Sequence, residues 1–349
     1  MRDMSNKTVV QEAIETLIGG RSLSRETAQA VMETIMEGEA TQSQIGALLA
    51  TLRMKGETVD EVVGLAAGMR SKVNGVSTAA EGLLDTCGTG GDGQHTFNIS
   101  TAAAIVAAGG GVRVAKHGNR AMSSKSGSAD VLEALGVNIH LGSESAERCL
   151  KAIGICFMFA QVYHPSMKYA AAPRKELGMR TVFNLLGPLT NPAGADRQLL
   201  GVFDRNLTEL MANVLKGLGS RRALVVGSHD GLDEISLSAA TRVTELKDGN
   251  VVTYDIAPDD LGLKSCKIEE LRGGDAKENA EKIRRLLAGE RGAYRDVVLA
   301  NAGACFYVTG VSGTLQEGVK RAADAIDSGA ALQKLDDLVK LTGELAHVS

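Results

Sequence analysis

Glycines, basic residues and adjacent carboxylates gather in three short stretches whose chemistry suits a phosphorylated ligand. The first is DTCGTGGDG over residues 85–93, where Gly88, Gly90 and Gly93 fall at the G-x-G-x-x-G spacing. Successive glycine N–H groups can turn inward as an anion nest, and the missing side chains let a phosphate approach the backbone. The same spacing marks dinucleotide sites, which also need an acidic residue about 20 positions on for the ribose hydroxyls. No Asp or Glu occurs between Gly93 and Ala129, where Arg113, Lys116, Arg120 and Lys125 stand with His95 and His117. A nicotinamide site is therefore disfavoured. Asp92, in the middle of the loop, would repel a bare phosphate and makes sense beside Mg2+ or a sugar hydroxyl. The stretch Asn98 to Thr101 then opens a helical run, and Ser100 or Thr101 is expected to cap it and offer N–H groups to a second anion.

The second stretch is Lys116-His117-Gly118-Asn119-Arg120, followed by Ser123, Ser124, Ser126 and Ser128. Ammonium, guanidinium and hydroxyl groups around glycines form a phosphate or pyrophosphate cradle. The third is Gly231-Leu232-Asp233-Glu234, whose adjacent carboxylates suit Mg2+, an ion that takes a few protein oxygens and leaves other positions to water and phosphates. Any one of these alone is commonly a solvated turn. Together they point to a ligand with two separated phosphate groups, held at the carboxyl ends of neighbouring strands.

The elements that must position these loops are of two kinds. Residues 8 to about 73 read as helices: Val10, Ile14, Leu17 and Ile18 share a helical face, and Thr41 with Gln44 and Thr58 with Glu61 form capping boxes. From residue 83 the texture changes. GVRVAKHG, GICFMFA, RALVVGSHDG and RDVVLANAGA each read as a buried strand running into a loop, whereas Leu83 and Leu84 make only a minimal strand interrupted by Asp85. Helical stretches alternate with them: STAAAIVAAGG, ADVLEALG, LTELMANVLKGLG and KENAEKIRRLLAGE. That alternation predicts a mostly parallel α/β sheet. Residues 242–263 break the rhythm with a hairpin turning at Asp248-Gly249, and the proline-bearing residues 164–192 read as a crossing between lobes.

Bulk properties narrow the function classes. The 349 residues carry a net charge of −4, which gives no support to general nucleic-acid binding, so any polyanion site must be local. Five cysteines, Cys87, Cys149, Cys156, Cys266 and Cys305, lack C-x-x-C spacing and read as reduced thiols of a cytoplasmic protein. The N-terminus is charged and helix-patterned rather than signal-like, and the apolar run Ile99 to Ala115 is short for a membrane span and broken by glycines.

In order along the chain, DTCGTGGDG, TFNIST, KHGNRAMSSKSGSADVLEALG, HPSMKYAAAPRKELGMRTVFNLLGPLTNPAG, GLDE, GGDAKEN and NAGACFYVTG resemble the anthranilate phosphoribosyltransferase family, over nearly the whole length. One departure is Asp259-Asp260-Leu261-Gly262, where the family more often has phenylalanine before the glycine; it lies away from the expected site. The resemblance implies a small all-helical domain plus a large α/β domain with a mostly parallel central sheet flanked by helices. It implies a helical unit over 1–75, completed by an inserted crossing over about 165–190, with 76–164 and 191–349 forming the α/β unit.

What the resemblance implies for the site is specific. Gly88, Gly91, Asp92, Thr96, Asn98, Ile99, Ser100, Thr101, Lys116, Ser124 and Ser128 would hold phosphoribosyl pyrophosphate. Ser100, Asp233 and Glu234 would ligate Mg2+, with two ions per subunit. Gly88, Asn119 and Arg174 would hold anthranilate, with His117 and Tyr169 as secondary candidates; the fork of Arg174 matches a carboxylate. Arg120 takes no assigned role. No dedicated acid or base is implied, since an arylamine is already neutral at pH 7. A homodimer through the helical domain, and association with an anthranilate synthase, are partner expectations; nucleic acid and membrane are not. Two other readings stand beside this one: a pyrimidine nucleoside phosphorylase-like enzyme, whose substrate ribose lacks a 5′-phosphate, and a non-catalytic nucleic-acid-binding relative of the same fold.

Overall fold

Threonine opens three of the first four helices through capping boxes that satisfy N–H groups left free at a helix start. Thr8 caps α1 (Val9–Ile18), Thr41 caps α3 (Gln42–Lys55) and Thr58 caps α4 (Val59–Arg70), while Ser24 caps α2 (Arg25–Met36). The computed structural model describes residues 7–78, 81–121 and 125–346. Both boxes read from the sequence, Thr41 with Gln44 and Thr58 with Glu61, form as expected. On α1 the buried stripe is Val10, Ala13 and Leu17; Ile18 falls off that face and is 70% exposed, against the expectation that it shares the stripe. At 100° per residue, Ile18 is rotated away from Leu17, and the alanine at position 13 fills the gap.

The chain then enters a sheet. Strand β1 (Leu84–Gly88) leads to α5 (Ile99–Gly109), β2 (Val114–Gly118), α6 (Ser128–Ala134), α7 (Ser143–Ile153) and β3 (Ile155–Phe159). The crossing contributes α8 (Ala160–Tyr163), α9 (Lys168–Leu177) and α10 (Phe183–Leu186) before β4 (Arg197–Gly201), α11 (Thr208–Gly217) and β5 (Arg222–Ser228). An antiparallel hairpin, β6 (Thr241–Lys247) and β7 (Asn250–Ile256), turns at Asp248 and Gly249, both at positive φ (51° and 76°). Two consecutive left-handed residues are the turn that matches strand twist, and the hairpin lies where the Asp-Gly pair places it.

Among the described residues seven strands form one sheet in the order β3-β2-β1-β4-β5-β6-β7, with the first five parallel. The chain starts in the middle, builds outward through β2 and β3, and then returns to the other side of β1 with β4. That reversal makes the carboxyl ends of β1 and β4, paired at Gly88 and Gly201, the switch point where such sheets bind ligands. β1 is a full strand rather than a minimal one. Asp85 does not interrupt it, because its buried carboxylate accepts a hydrogen bond from the N–H of His117 at 3.1 Å on the neighbouring strand.

The last helices are α12 (Ala276–Leu287), α13 (Ala293–Val308), α14 (Leu315–Asp327) and α15 (Ala330–Leu345). The stretch RDVVLANAGA, read as a strand, is the middle of α13. Nearly every residue of that helix is buried, so it lacks a polar face, and a short apolar run has no period that separates a buried helix from a buried strand. Its length decides: the apolar pattern continues to Val308, too far for a strand.

On β4 and β5, strand alternation sorts side chains into two cores, and a third, beside β2 and β3, holds Ala115, Cys156 and Met158. Leu199, Leu224 and Val226 point into the layer holding α5 and α12–α15, while Leu200, Ala223 and Val225 point to the layer holding α1–α4 and α11. Ala170, Val182, Phe183, Leu185, Leu186 and Leu189 of the crossing join the second core. No helix among the described residues is long and apolar enough to cross a membrane.

Candidate active site

Gly88 and Gly201 sit where two parallel strands end and a third chain segment crosses them. A Cβ on Gly88 would lie 2.5 Å from Asp233 Oδ2, and one on Gly201 would lie 1.6 Å from the Asp233 carbonyl oxygen. Only glycine lets the loop after β5 settle onto both strand ends, and this brings Asp233 and Glu234 to the glycine loop.

Thr89, Gly90 and Asp92 of that loop are each held by a different group. Thr89 donates its N–H to Gly201 O at 2.9 Å, and its hydroxyl accepts from Phe203 N at 3.0 Å. Gly90 N donates to Asp233 Oδ2 at 2.9 Å, so one N–H of the expected anion nest is already engaged by a carboxylate. Asp92 accepts from Gln94 N at 3.1 Å, closing its own turn. The loop's far end docks on the residues just before GGDAKEN and its first glycine: Thr96 bridges Arg272, Phe97 N donates to Leu271 O, and Gly273 N donates to His95 O.

At the start of α5 the cap position belongs to Asn98, not to Ser100 or Thr101, and its side chain makes no capping bond. Asn98 instead donates to Ser126 O at 3.1 Å and accepts from Asn279 Nδ2 at 3.0 Å, which ties the second loop to the first. Ser100 N, in the first turn of the helix, donates to Glu234 Oε1 at 3.1 Å. The side chain of Glu234 takes the place expected of a cap or an anion. Ile99 is buried, and buried Thr101 leaves its hydroxyl without a partner among the described residues.

Lys116 is the cation on this floor. It is buried, and its ammonium donates to the Thr86 carbonyl, to Thr86 Oγ1 at 3.3 Å and to Ser100 Oγ at 3.4 Å. Burial pushes its pKa down, opposed by the nearby Asp85. The acids face the reverse problem. Burial and then the charge of Asp92 push Asp233 up to about 7, and burial together with Asp233 pushes Glu234 well above the carboxylate range. Carboxylates crowded so that each disfavours its neighbour's charge form a site that stabilises a cation. Among the described residues no three acidic, histidine or cysteine side chains close into a cage for one ion. An ion held by two carboxylates here would complete its shell with water and phosphate oxygens, as Mg2+ does.

The second loop is folded on Asp130. That carboxylate accepts from Ala121 N at 2.9 Å and Gly127 N at 2.8 Å, and pairs with Arg120 at 2.9 Å; Arg120 also pairs with Glu133 at 2.9 Å. Arg120 is thus a loop strut. Asn119 accepts from Arg120 N through Oδ1 and from the Ser128 hydroxyl through its carbonyl, at 2.8 and 3.3 Å. Ser123 and Ser124 lie outside the described residues.

His117 and His164 face each other with ring centroids 5.0 Å apart, and each has a buried Nε2 without a partner among the described residues. Desolvation holds His117 down near 3 and His164 near 4, so both are neutral. His164 opens the crossing and was not singled out from the sequence. Across from the loops, the Arg174 guanidinium lies 4.9 Å from the Phe183 ring centroid, and Tyr169 packs on Gly38 of the helical layer. Arg180, also not singled out, donates from Nη2 to the Gly91 carbonyl.

Comparison with known proteins follows this layout. The family described as glycosyl transferase family, helical bundle domain, matches residues 11–73, and its a/b domain matches residues 80–332. The anthranilate phosphoribosyltransferase of Brevibacillus brevis is 53% identical over 337 residues, covering 97% of this chain and 99% of that one. A crystal structure of anthranilate phosphoribosyltransferase from Thermus thermophilus superposes with a TM-score of 0.91 at 45% identity, over 95% of this chain and 99% of the other. The Saccharomyces cerevisiae enzyme in complex with PRPP and Mg gives a TM-score of 0.89 at 27% identity, over 97% and 99%.

Proposed function

Since this chain belongs to the anthranilate phosphoribosyltransferase family, we infer that it transfers the 5-phosphoribosyl group of phosphoribosyl pyrophosphate to the amine of anthranilate, with release of pyrophosphate. This is a step of tryptophan biosynthesis. The observation that carries the reading is the convergence of the glycine loop, Lys116 and the Asp233-Glu234 pair at the ends of β1, β2 and β5.

In this reading Gly88, Gly91, Asp92, Thr96, Asn98, Ile99, Ser100, Thr101, Lys116, Ser124 and Ser128 hold phosphoribosyl pyrophosphate. Asp233, Glu234 and Ser100 hold Mg2+, two ions per subunit; the raised pKa values of Asp233 and Glu234 support a cation beside those two carboxylates. Magnesium bound there supplies charge neutralisation to the departing pyrophosphate. Lys116 is held in place by Thr86 and Ser100, so its side chain needs no reorganisation when negative charge develops on the leaving group.

Gly88, Asn119, Arg174, His117 and Tyr169 make up the acceptor side. The Arg174 guanidinium, desolvated beside Phe183, offers its fork to the aminobenzoate carboxylate. Neutral His117 stands against His164, where the crossing begins, with one nitrogen unpaired among the described residues. The arylamine attacks ribose C1 from the face opposite pyrophosphate through an oxocarbenium-like state, with inversion: the C1–N bond forms as the C1–O bond to pyrophosphate breaks, and the proton shed by the nitrogen passes to water. Its lone pair is free at neutral pH, so the protein's task is positioning and leaving-group stabilisation.

The helical unit of this enzyme comprises residues 1–75 and the crossing at about 165–190, in support of which crossing side chains share a core with α1–α4. Exposed Ile18 and Met54 on α1 and α3 support a homodimer through that unit. Loss of anthranilate fluorescence on addition of phosphoribosyl pyrophosphate and Mg2+, and not on omission of either, is the expected result. Phosphate-dependent cleavage of uridine or thymidine with no fluorescence change would instead identify a nucleoside phosphorylase.

A further inference from the structure

Arg180 lies between the two halves of the site, and neither half as described uses it. It follows α9 and its C-terminal Gly178, in the crossing that carries Arg174. Its Nη2 donates to the carbonyl of Gly91, and its guanidinium carbon lies 4.0 Å from the ring centroid of Phe203. Phe203 in turn donates its N–H to Thr89 Oγ1 at 3.0 Å. The guanidinium therefore grips the glycine loop at two points: directly at Gly91, and through the residue that anchors Thr89.

On its other side Arg180 is braced to Arg174. Thr181 N donates to Asn184 Oδ1 at 3.0 Å, which fixes the turn that begins α10, and Phe183 within that turn is the ring under Arg174. A continuous path runs from Gly91 through Arg180 and the 181–184 turn to Phe183 and Arg174. Gly91 has φ of 76°, a left-handed conformation that turns its carbonyl to the guanidinium. Arg180 has no carboxylate within ion-pair distance among the described residues, so the charge is not held elsewhere. A planar guanidinium can stack on a ring while donating in its own plane; an ammonium cannot do both.

We propose that Arg180 is a positioning residue that couples the two substrate sites: it ties the acceptor-side crossing to the glycine loop, so that filling the pyrophosphate side tightens the hold of Arg174 on anthranilate. The proposal rests on the assignment of the two sides made above. Coupling of this kind is a measurable free energy, and it is reciprocal.

The test uses a dead-end pair, so that no chemistry intervenes. Anthranilate is titrated by its fluorescence with the full-length protein, in the absence and presence of saturating Mg-pyrophosphate. In the wild type, pyrophosphate is expected to tighten anthranilate about tenfold, within the usual range for such coupling. In Arg180→Ala the ratio is expected to fall to within about twofold of unity, with the urea midpoint unchanged, since the side chain is exposed. Arg180→Lys, which keeps the charge and loses the fork, is expected to behave like the alanine variant. As a control, Arg174→Ala should raise KM for anthranilate and leave that for phosphoribosyl pyrophosphate near its wild-type value. Wild-type coupling preserved in Arg180→Ala, restored in full by lysine, or absent from the wild type would overturn the proposal. Absence of any anthranilate or pyrophosphate binding by the wild type would instead overturn the functional reading beneath it.

Discussion

The loop carrying Asp233 and Glu234 is tied by hydrogen bonds along its length, whereas Arg174 and Arg180, on the crossing, rest on two rings and one carbonyl. Asp233 grips Gly90 N, Glu234 grips Ser100 N, and the next residue, Ile235, exchanges two hydrogen bonds with the buried side chain of Asn301, both at 3.0 Å. Upstream, Asp230 accepts from Leu232 N at 3.1 Å and from Ser236 at 2.7 Å. On the other side, Arg174 rests on a ring and Arg180 on a ring and one carbonyl. The difference follows from what each side must do. Desolvated carboxylates in close company need fixed partners to stay in place, while an acceptor side that admits a substrate keeps groups free to meet it.

Removing the concentrated charge is the strongest way to break that contrast. Asp233→Asn with Glu234→Gln is expected to lower kcat by at least about 10²–10³-fold, the scale of losing preorganised charge stabilisation. The fold should survive. Because Asp233 sits near 7 and Glu234 is also raised, both carboxylates are costly to ionise in the metal-free protein. A group with a raised folded pKa contributes stability below its unfolded pKa and loses it as pH rises through the folded value. The wild type should therefore lose Tm as pH rises from the ordinary carboxylate range through about 7 in a chelator, and the double variant should lose less. Rates measured at limiting Mg2+ and thermal scans in chelator check both halves.

A second way leaves the carboxylates and removes what holds them. Asn301→Ala deletes three hydrogen bonds in a fully buried place, to Ile235 N, Ile235 O and Val297 O. Outer-shell partners of this kind are worth about 10–100-fold in metal affinity or activity. The Ile235 N–H left unpaired should cost about 1–3 kcal/mol of stability. Mg2+ titration of the rate, with urea unfolding, separates the two effects. Unchanged Mg2+ dependence would show that the loop after β5 holds its shape without the clamp.

The sequence made one side of this comparison far easier to read than the other. Gly88, Lys116, Asp233 and Glu234 could be named because their types state their chemistry and each falls in or beside a loop after an apolar run. Asn301, Asn279, His164 and Arg180 could not, since each acts through a partner distant in the chain: Asn301 through Ile235, Arg180 through Gly91. Side chain-to-backbone bonds across tens of residues leave no local period. The same limit explains RDVVLANAGA, whose burial on all sides removed the polar face that identifies a helix. The expected cap at Ser100 or Thr101 fails for a related reason: the anion-like partner of Ser100 N comes from Glu234, 134 residues away.

At the junction of the two sides, His117 and His164 give a milder test. Both have folded pKa values depressed below the ordinary 6.5, to about 3 and about 4. Their contribution is therefore complete above the unfolded value and is lost as pH falls toward the folded ones. Each should cost roughly 1.4 kcal/mol per pH unit below about 6.5, a tenfold change in the unfolding equilibrium. Urea midpoints from pH 7.5 to pH 5 should fall in the wild type and fall less steeply in His164→Gln. Equal slopes would place the charged imidazolium in the folded protein.

The smallest effect is expected at the most conspicuous cation. Arg120 sits in KHGNR, the stretch that reads most like a phosphate cradle, yet it points to the protein's own acids, Asp130 and Glu133, each at 2.9 Å. Its side chain is 37% exposed, and pairs at that exposure are worth about 0–1 kcal/mol. The loop keeps two further ties without it, because Asp130 also holds Ala121 N and Gly127 N directly. Arg120→Gln should therefore change urea stability by less than about 1 kcal/mol and kcat/KM for both substrates by less than about threefold. Asp130→Ala, which releases both backbone N–H groups, should do more damage than Arg120→Gln. If the order were reversed, Arg120 would be reaching the ligand rather than bracing the loop, and the exposed side of the cleft would carry charge chemistry of its own.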